Sequence, residues 1–216
     1  MTDGAAAHSG LSFEPRTTGK PCALWCATTN AGKLQEFRIA GERFGNGRFS
    51  VEPLPGLAAI DAPEETGTTF EQNAILKAVS YSQHAAGYLF ADDSGLEVTA
   101  LGGDPGVYSA RFAGPAASDE ANNALVLEKL RRAADRTGQF VCVIALARDG
   151  KLVKTFRGEV RGEVAEAPRG PNGFGYDPLF FYPPFGCTFG EAALERKMEV
   201  SHRARALEAM FGYLAR

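Results

Sequence analysis

The sequence predicts a mixed α/β fold, and three observations carry that prediction. The apolar run Cys22-Ala23-Leu24-Trp25-Cys26-Ala27 passes through the turn Thr28-Thr29-Asn30-Ala31-Gly32-Lys33 into Leu34-Gln35-Glu36-Phe37-Arg38-Ile39, the order of a strand, a turn and a helix start. Strand-like and helix-like segments then alternate as far as Ala134. Beyond that point Gln139 to Arg148 and Leu152 to Val164 are two long strand-like segments, joined by Arg148-Asp149-Gly150-Lys151. Asp-Gly between apolar runs is the strongest hairpin signal in the chain. Alternation yields parallel strands and the hairpin yields antiparallel ones, so the sheet is mixed, with flanking helices.

The elements follow in order. After the first strand and helix, Phe49 to Leu54 is a short strand, followed by a Pro/Gly-rich acidic loop that contains Glu64 and Glu65. Thr68 and Glu71 have capping-box spacing, and Phe70, Ala74, Ala78 and Tyr81 recur at helical intervals, which predicts a helix to Ala86. Tyr88 to Ala91 is a short buried strand ending in Asp92-Asp93-Ser94-Gly95, and Leu96 to Leu101 continues extended into a glycine-rich turn. Ser118 caps a helix to about Ala134. After the hairpin, a loop from Pro168 to Pro178 leads to Leu179-Phe180-Phe181, and Ala192 to Lys197 and His202 to Ala215 are helical.

Size and charge narrow the function. A chain of 216 residues with 44% hydrophobic content can bury a real core. Its net charge of −3 supplies no global field for nucleic acid or an anionic membrane. No apolar run approaches the roughly 18 residues of a membrane span. Met1 to Lys20 has no signal-peptide pattern and is expected to be a disordered extension, with residues 21–216 forming one domain. Cys22, Cys26, Cys142 and Cys187 have neither zinc spacing nor the density of a disulfide scaffold, so reduced thiols and a cytoplasmic location are expected.

Three segments carry chemistry. The Thr28–Lys33 turn aims backbone N–H groups and the positive end of a helix dipole at one point, where phosphate binds, and Lys33 adds a mobile cation. Asp92-Asp93-Ser94-Gly95 sets two acids at a strand end, and Mg2+ accepts one or two such carboxylates together with phosphate oxygens. A surface acidic turn is the competing reading. Gly173-Phe174-Gly175-Tyr176-Asp177-Pro178 offers aromatic faces beside glycines that let a flat ligand approach, or else a tight turn with its aromatics in the core. Ser201-His202-Arg203 opens the last helix and repeats the anion or carbonyl site at the far end of the chain.

Taken in order, these motifs resemble the inosine triphosphate pyrophosphatase family, the XTP/dITP diphosphatases. The resemblance rests on Thr28-Thr29-Asn30-Ala31-Gly32-Lys33, Glu64-Glu65-Thr66-Gly67, Asn73-Ala74 with Lys77-Ala78, Asp92-Asp93-Ser94-Gly95-Leu96, Gly106-Val107-Tyr108-Ser109-Ala110-Arg111, Phe174 to Asp177, and Ser201-His202-Arg203. It runs from about Cys22 to the C-terminus. It implies a homodimer of elongated protomers, each with a central nucleotide cleft, that hydrolyses deaminated purine triphosphates with Mg2+. By position, Thr28, Thr29, Asn30, Ala31, Gly32 and Lys33 match the phosphate-binding turn, with Lys77 and Arg111 as further phosphate contacts. Glu64 and Asp93 match metal ligands, and Asp93 matches the proton acceptor. Ser94, Phe174, Gly175, Tyr176, Asp177, Lys197, His202 and Arg203 match nucleotide-binding positions. A pyrophosphatase for modified pyrimidine triphosphates and a nucleotide sensor without hydrolysis are the alternatives.

Overall fold

The computed structural model describes residues 21–216; the N-terminal extension expected over 1–20 lies outside them. A seven-stranded mixed sheet has the order β2-β1-β3-β4-β5-β6-β7. Its strands are β1 (Cys22–Cys26), β2 (Phe49–Pro53), β3 (Tyr88–Val98), β4 (Thr137–Arg148), β5 (Lys151–Val164), β6 (Phe180–Tyr182) and β7 (Cys187–Thr188). The helices are α1 (Ala31–Phe44), α2 (Phe70–Ser82), α3 (Asp119–Lys129), α4 (Leu194–Lys197) and α5 (His202–Leu214). β1 pairs parallel with β2 and β3, and every later pairing is antiparallel. Among the described residues no helix is long and apolar enough to cross a membrane.

The hairpin forms as its turn residues dictate. Asp149 (φ 51°) and Gly150 (φ 73°) both adopt the left-handed conformation that a two-residue turn needs to match strand twist.

Asp92 and Asp93 depart from expectation. They lie in the middle of β3 rather than at its end, because pairing with β4 continues through Asp92↔Ile144 and Asp93↔Val143. The strand that stops at this point is β1, whose register with β3 covers only Trp25↔Leu89 and Cys26↔Phe90. Past Phe90 one edge of β3 is therefore free of β1, and the two acids stand beside that gap.

Helix limits also shift. Thr69 rather than Thr68 caps α2, accepting from the Gln72 amide at 3.2 Å, while Gln72 reaches back to the Thr68 amide at 2.8 Å. α2 ends at Ser82, where i→i+3 hydrogen bonds tighten residues 83–85. The same tightening after Lys129 stops α3 short of Ala134.

One sheet face packs on α1 and α5 through Leu24, Phe37, Phe90, Ile144, Leu207 and Phe211. Phe37 meets Phe90 edge-on with ring centroids 5.0 Å apart. α2 covers the other face, where Ala74 and Ala78 lie over Val141, Val143 and Ala145. Alanines at this contact let the helix come close, which brings its polar residues Asn73 and Lys77 to β3.

Candidate active site

Asn30 caps α1 by accepting from the Lys33 amide at 2.9 Å. The helix therefore begins at Ala31. Among the described residues the Ala31 and Gly32 amides of this first turn have no acceptor, which leaves them available to an anion. The Thr28 hydroxyl accepts from the Asn30 amide at 3.2 Å and shapes the turn, in which Thr29 is exposed.

Period-two alternation sends the side chains of Asp92 and Asp93 to opposite faces of β3. Asp92 joins a buried network on the α1/α5 side. Lys33 Nζ donates to it at 3.0 Å, the Ser94 hydroxyl donates at 3.0 Å, and Arg203 Nε forms an ion pair at 3.5 Å without hydrogen-bond geometry. Burial opposes this carboxylate's charge, but Lys33 and Arg203 overcome the penalty and hold it well below the usual carboxylate range. Arg203 also donates to Ser94 at 2.8 Å and, through Nη1, to Glu36. Glu36 accepts in turn from Lys197 at 2.7 Å, and Lys197 donates to Asp177 at 2.5 Å. Burial of Glu36 is likewise outweighed by Arg203 and Lys197, so it stays ionised, whereas burial raises Asp177 despite Lys197.

Asp93 heads a second cluster on the α2 side. Lys77 Nζ donates to it at 2.8 Å and Asn73 Nδ2 at 3.3 Å. Lys77 also meets Glu65 at 3.0 Å, and Glu65 binds Arg111 at 3.2 Å. Burial lifts the proton affinity of Asp93, Lys77 opposes that rise, and the Glu65 charge adds to it. Lys33 lowers Asp93 from across the sheet edge, and Lys77 lowers Asp92 in the same way, so the clusters share one electrostatic site.

A cleft opens along the first network, lined by Asn30, Lys33, Ser94, Phe174, Gly175, Tyr176, Asp177, Lys197, His202 and Arg203. The Phe174 ring faces Lys197 Nζ at 5.0 Å and the Arg203 guanidinium at 5.5 Å. It also closes on the phosphate turn: a Cβ at Gly32 would stand 2.5 Å from Phe174 Cδ1. Tyr176 is largely core, with its hydroxyl donating to the Ser109 carbonyl at 2.8 Å. His202 stacks on Phe140 at 4.7 Å, and burial followed by the neighbouring Arg203 and Lys197 charges keep its ring neutral. The Ser201 side chain caps Ala204, so among the described residues the His202 and Arg203 amides are the open donors of α5.

The positions chosen from sequence thus fall into two adjoining groups. Asn30, Lys33, Ser94, Phe174 to Asp177, Lys197, His202 and Arg203 meet at the cleft, and Lys77, Asp93 and Arg111 meet at the second cluster. Glu64 is exposed, and its neighbour Glu65 is the acid that joins Lys77 and Arg111. Sequence reasoning missed Glu36, although a signal was present. Lys33, Glu36, Phe37 and Ala40 share one helix face, and an acid within a stripe of core residues must have a buried cation partner. Asn73 carried no signal beyond its place in the motif.

The chain has counterparts among known proteins. The family model described as the Ham1 family matches residues 24–213. The chain is 50% identical to the dITP/XTP pyrophosphatase of Acidobacterium capsulatum over 88% of its own length and 97% of the relative's. It is also 50% identical to the dITP/XTP pyrophosphatase of Deinococcus radiodurans, over 85% and 88% of the two lengths. The structure of the Staphylococcus aureus Ham1 protein aligns with a TM-score of 0.78 at 41% identity, covering 90% of this chain and 98% of that one. A HAM1 protein from Coxiella burnetii aligns with a TM-score of 0.79 at 37% identity, covering 89% and 98%.

Proposed function

The chain belongs to the Ham1 family, and from that premise we propose that it hydrolyses deaminated purine nucleoside triphosphates to the monophosphate and pyrophosphate, removing dITP, ITP and XTP from the nucleotide pool. The observation that carries this reading is a cleft lined by Phe174, His202 and Arg203 at a base-sized wall and by Lys33, with the cations Lys77 and Arg111 in the cluster that adjoins it.

Hydrolysis adds water to the α-phosphorus and breaks the bond to the bridging oxygen, so pyrophosphate leaves with the electron pair. Asp93 is the group to take the water's proton, since burial makes it more basic than an ordinary aspartate while Lys77 favours its anion. Lys33, Lys77 and Arg111 exchange their carboxylate partners for phosphate oxygens and offset the charge of the leaving group. Donation from the His202 and Arg203 amides suits the C6 oxygen of hypoxanthine or xanthine and opposes the amino group of adenine. Polar mismatch of this kind discriminates by roughly 10⁴.

Mg2+ belongs to the same proposal, with Asp93 and Glu64 as its holders. Carboxylate oxygens such as these are the donors that Mg2+ accepts, together with phosphate oxygens and water. When bound, Mg2+ supplies neutralising charge for the triphosphate. We further infer a cytoplasmic homodimer on the family resemblance.

Pyrophosphate release from dITP, XTP, GTP, ATP and a modified pyrimidine triphosphate, with Mg2+ and with a chelator, tests the reading. Rapid Mg2+-dependent release from dITP and XTP, with little from ATP or the pyrimidine triphosphate, supports it. Equal turnover of ATP, a pyrimidine preference, or binding without release refutes it.

A further inference from the structure

Helix α3 reaches the cleft with Asp119 and Asn122 in its wall, and with Asn123 bonded to the wall residue Gly175. Asp119 and Asn123 lie one turn apart on the same face. Asp119 Oδ2 accepts from the Gly175 amide at 2.6 Å, and Asn123 Nδ2 donates to the Gly175 carbonyl at 3.0 Å. Both polar backbone groups of one glycine are thus held by one helix face. Gly175 sits at φ 61°, between Phe174, which faces Lys197, Arg203 and Gly32, and Tyr176, which is anchored to Ser109. Asn122, between the two clamp residues, accepts from the Ala113 amide at 2.8 Å and donates to the Ala110 carbonyl at 3.3 Å, bracketing Arg111.

None of these three side chains was among the nucleotide-binding positions found from sequence, yet together they join the Gly175 wall of the cleft to the segment that carries Arg111. We propose that Asp119 and Asn123 are positioning residues for base recognition, holding Gly175 so that Phe174 meets the purine, while Asn122 holds the Arg111 segment on the phosphate side. The inference rests on the function proposed above and adds which residues set base affinity. A left-handed glycine is free to leave its conformation when unclamped. Losing the clamp therefore affects the base-bearing ligand and spares a ligand that is phosphate only.

The test compares wild type, Asp119→Ala, Asp119→Asn and Asn123→Ala. The asparagine at 119 keeps an acceptor for the Gly175 amide and serves as the conservative rescue. For Asp119→Ala and Asn123→Ala the expected result is a KM for dITP raised about tenfold, with kcat within about twofold and binding of inorganic tripolyphosphate unchanged. Asp119→Asn is expected to restore most of the dITP affinity. Hydrogen exchange at the Gly175 amide, which needs no substrate, is expected to quicken in Asp119→Ala and return toward wild type in Asp119→Asn. Unchanged exchange, an unchanged KM, or equal weakening of dITP and tripolyphosphate would overturn the clamp. A wild-type protein that releases no pyrophosphate from dITP refutes the proposed function instead, and the exchange measurement still decides the clamp.

Discussion

Asp92 and Asp93 are adjacent in the chain but serve opposite faces of one strand: Lys33 holds Asp92 at 3.0 Å on one side, and Lys77 holds Asp93 at 2.8 Å on the other. An acidic pair therefore divides its work. Asp92 is bound by Lys33, Arg203 and Ser94 and stays an ionised anchor, whereas burial raises the proton affinity of Asp93.

Replacement of Asp93 by asparagine removes the proposed proton acceptor with little change in shape. The expected loss in pyrophosphate release from dITP is about 10²- to 10⁴-fold, with tripolyphosphate binding largely retained in calorimetry. Near-normal turnover would remove Asp93 from the proposed chemistry.

Glu36→Gln strips the shared anion from Lys197 and Arg203, both buried. Breaking a buried pair from one side costs about 3–5 kcal/mol, which denaturant unfolding will read as a lowered midpoint. Because Arg203 opens α5, selectivity among ITP, GTP and ATP is expected to narrow as well. Stability within error of wild type would show that the network tolerates the loss.

Glu65 occupies the cations that the proposal assigns to phosphate, holding Lys77 at 3.0 Å and Arg111 at 3.2 Å. Glu65→Gln releases Arg111 from this charge and leaves Lys77 with Asp93 alone. The affinity for tripolyphosphate is expected to rise severalfold, since a competing anion is gone. Weaker binding would mean that Glu65 contributes to holding the ligand.

His202 gives the stability a pH dependence. Its folded-state pKa lies well below the ordinary 6.5, because burial and then Arg203 and Lys197 disfavour the charged ring. The unfolded chain therefore binds the proton more readily, and the contribution is complete above about pH 6.5 and declines as the solution is acidified below it. Melting temperatures measured from pH 7.5 to 5 are expected to fall, and less steeply in His202→Gln. Equal slopes would place the acid sensitivity elsewhere.

Much of this molecule was legible in the chain. The strand–turn–helix at Cys22–Ile39, the Asp149-Gly150 hairpin and the helix of α2 are local, set by apolar periodicity and turn chemistry that adjacent residues carry. The motifs likewise announced the family, and most of the residues they pointed to line the cleft or its neighbouring cluster. Local signals failed where a long-range partner decided. Asp92-Asp93-Ser94-Gly95 has the composition of a turn, but continuous pairing with β4 holds it extended. The roles of Glu36, Glu65 and Asn123 depend on residues 161, 46 and 52 positions away, Lys197, Arg111 and Gly175 respectively. No periodicity records such distances. A buried charge takes its meaning from whichever opposite charge the folded chain sets beside it, and only the packing of α1, α2, α3 and α5 onto the sheet made those choices.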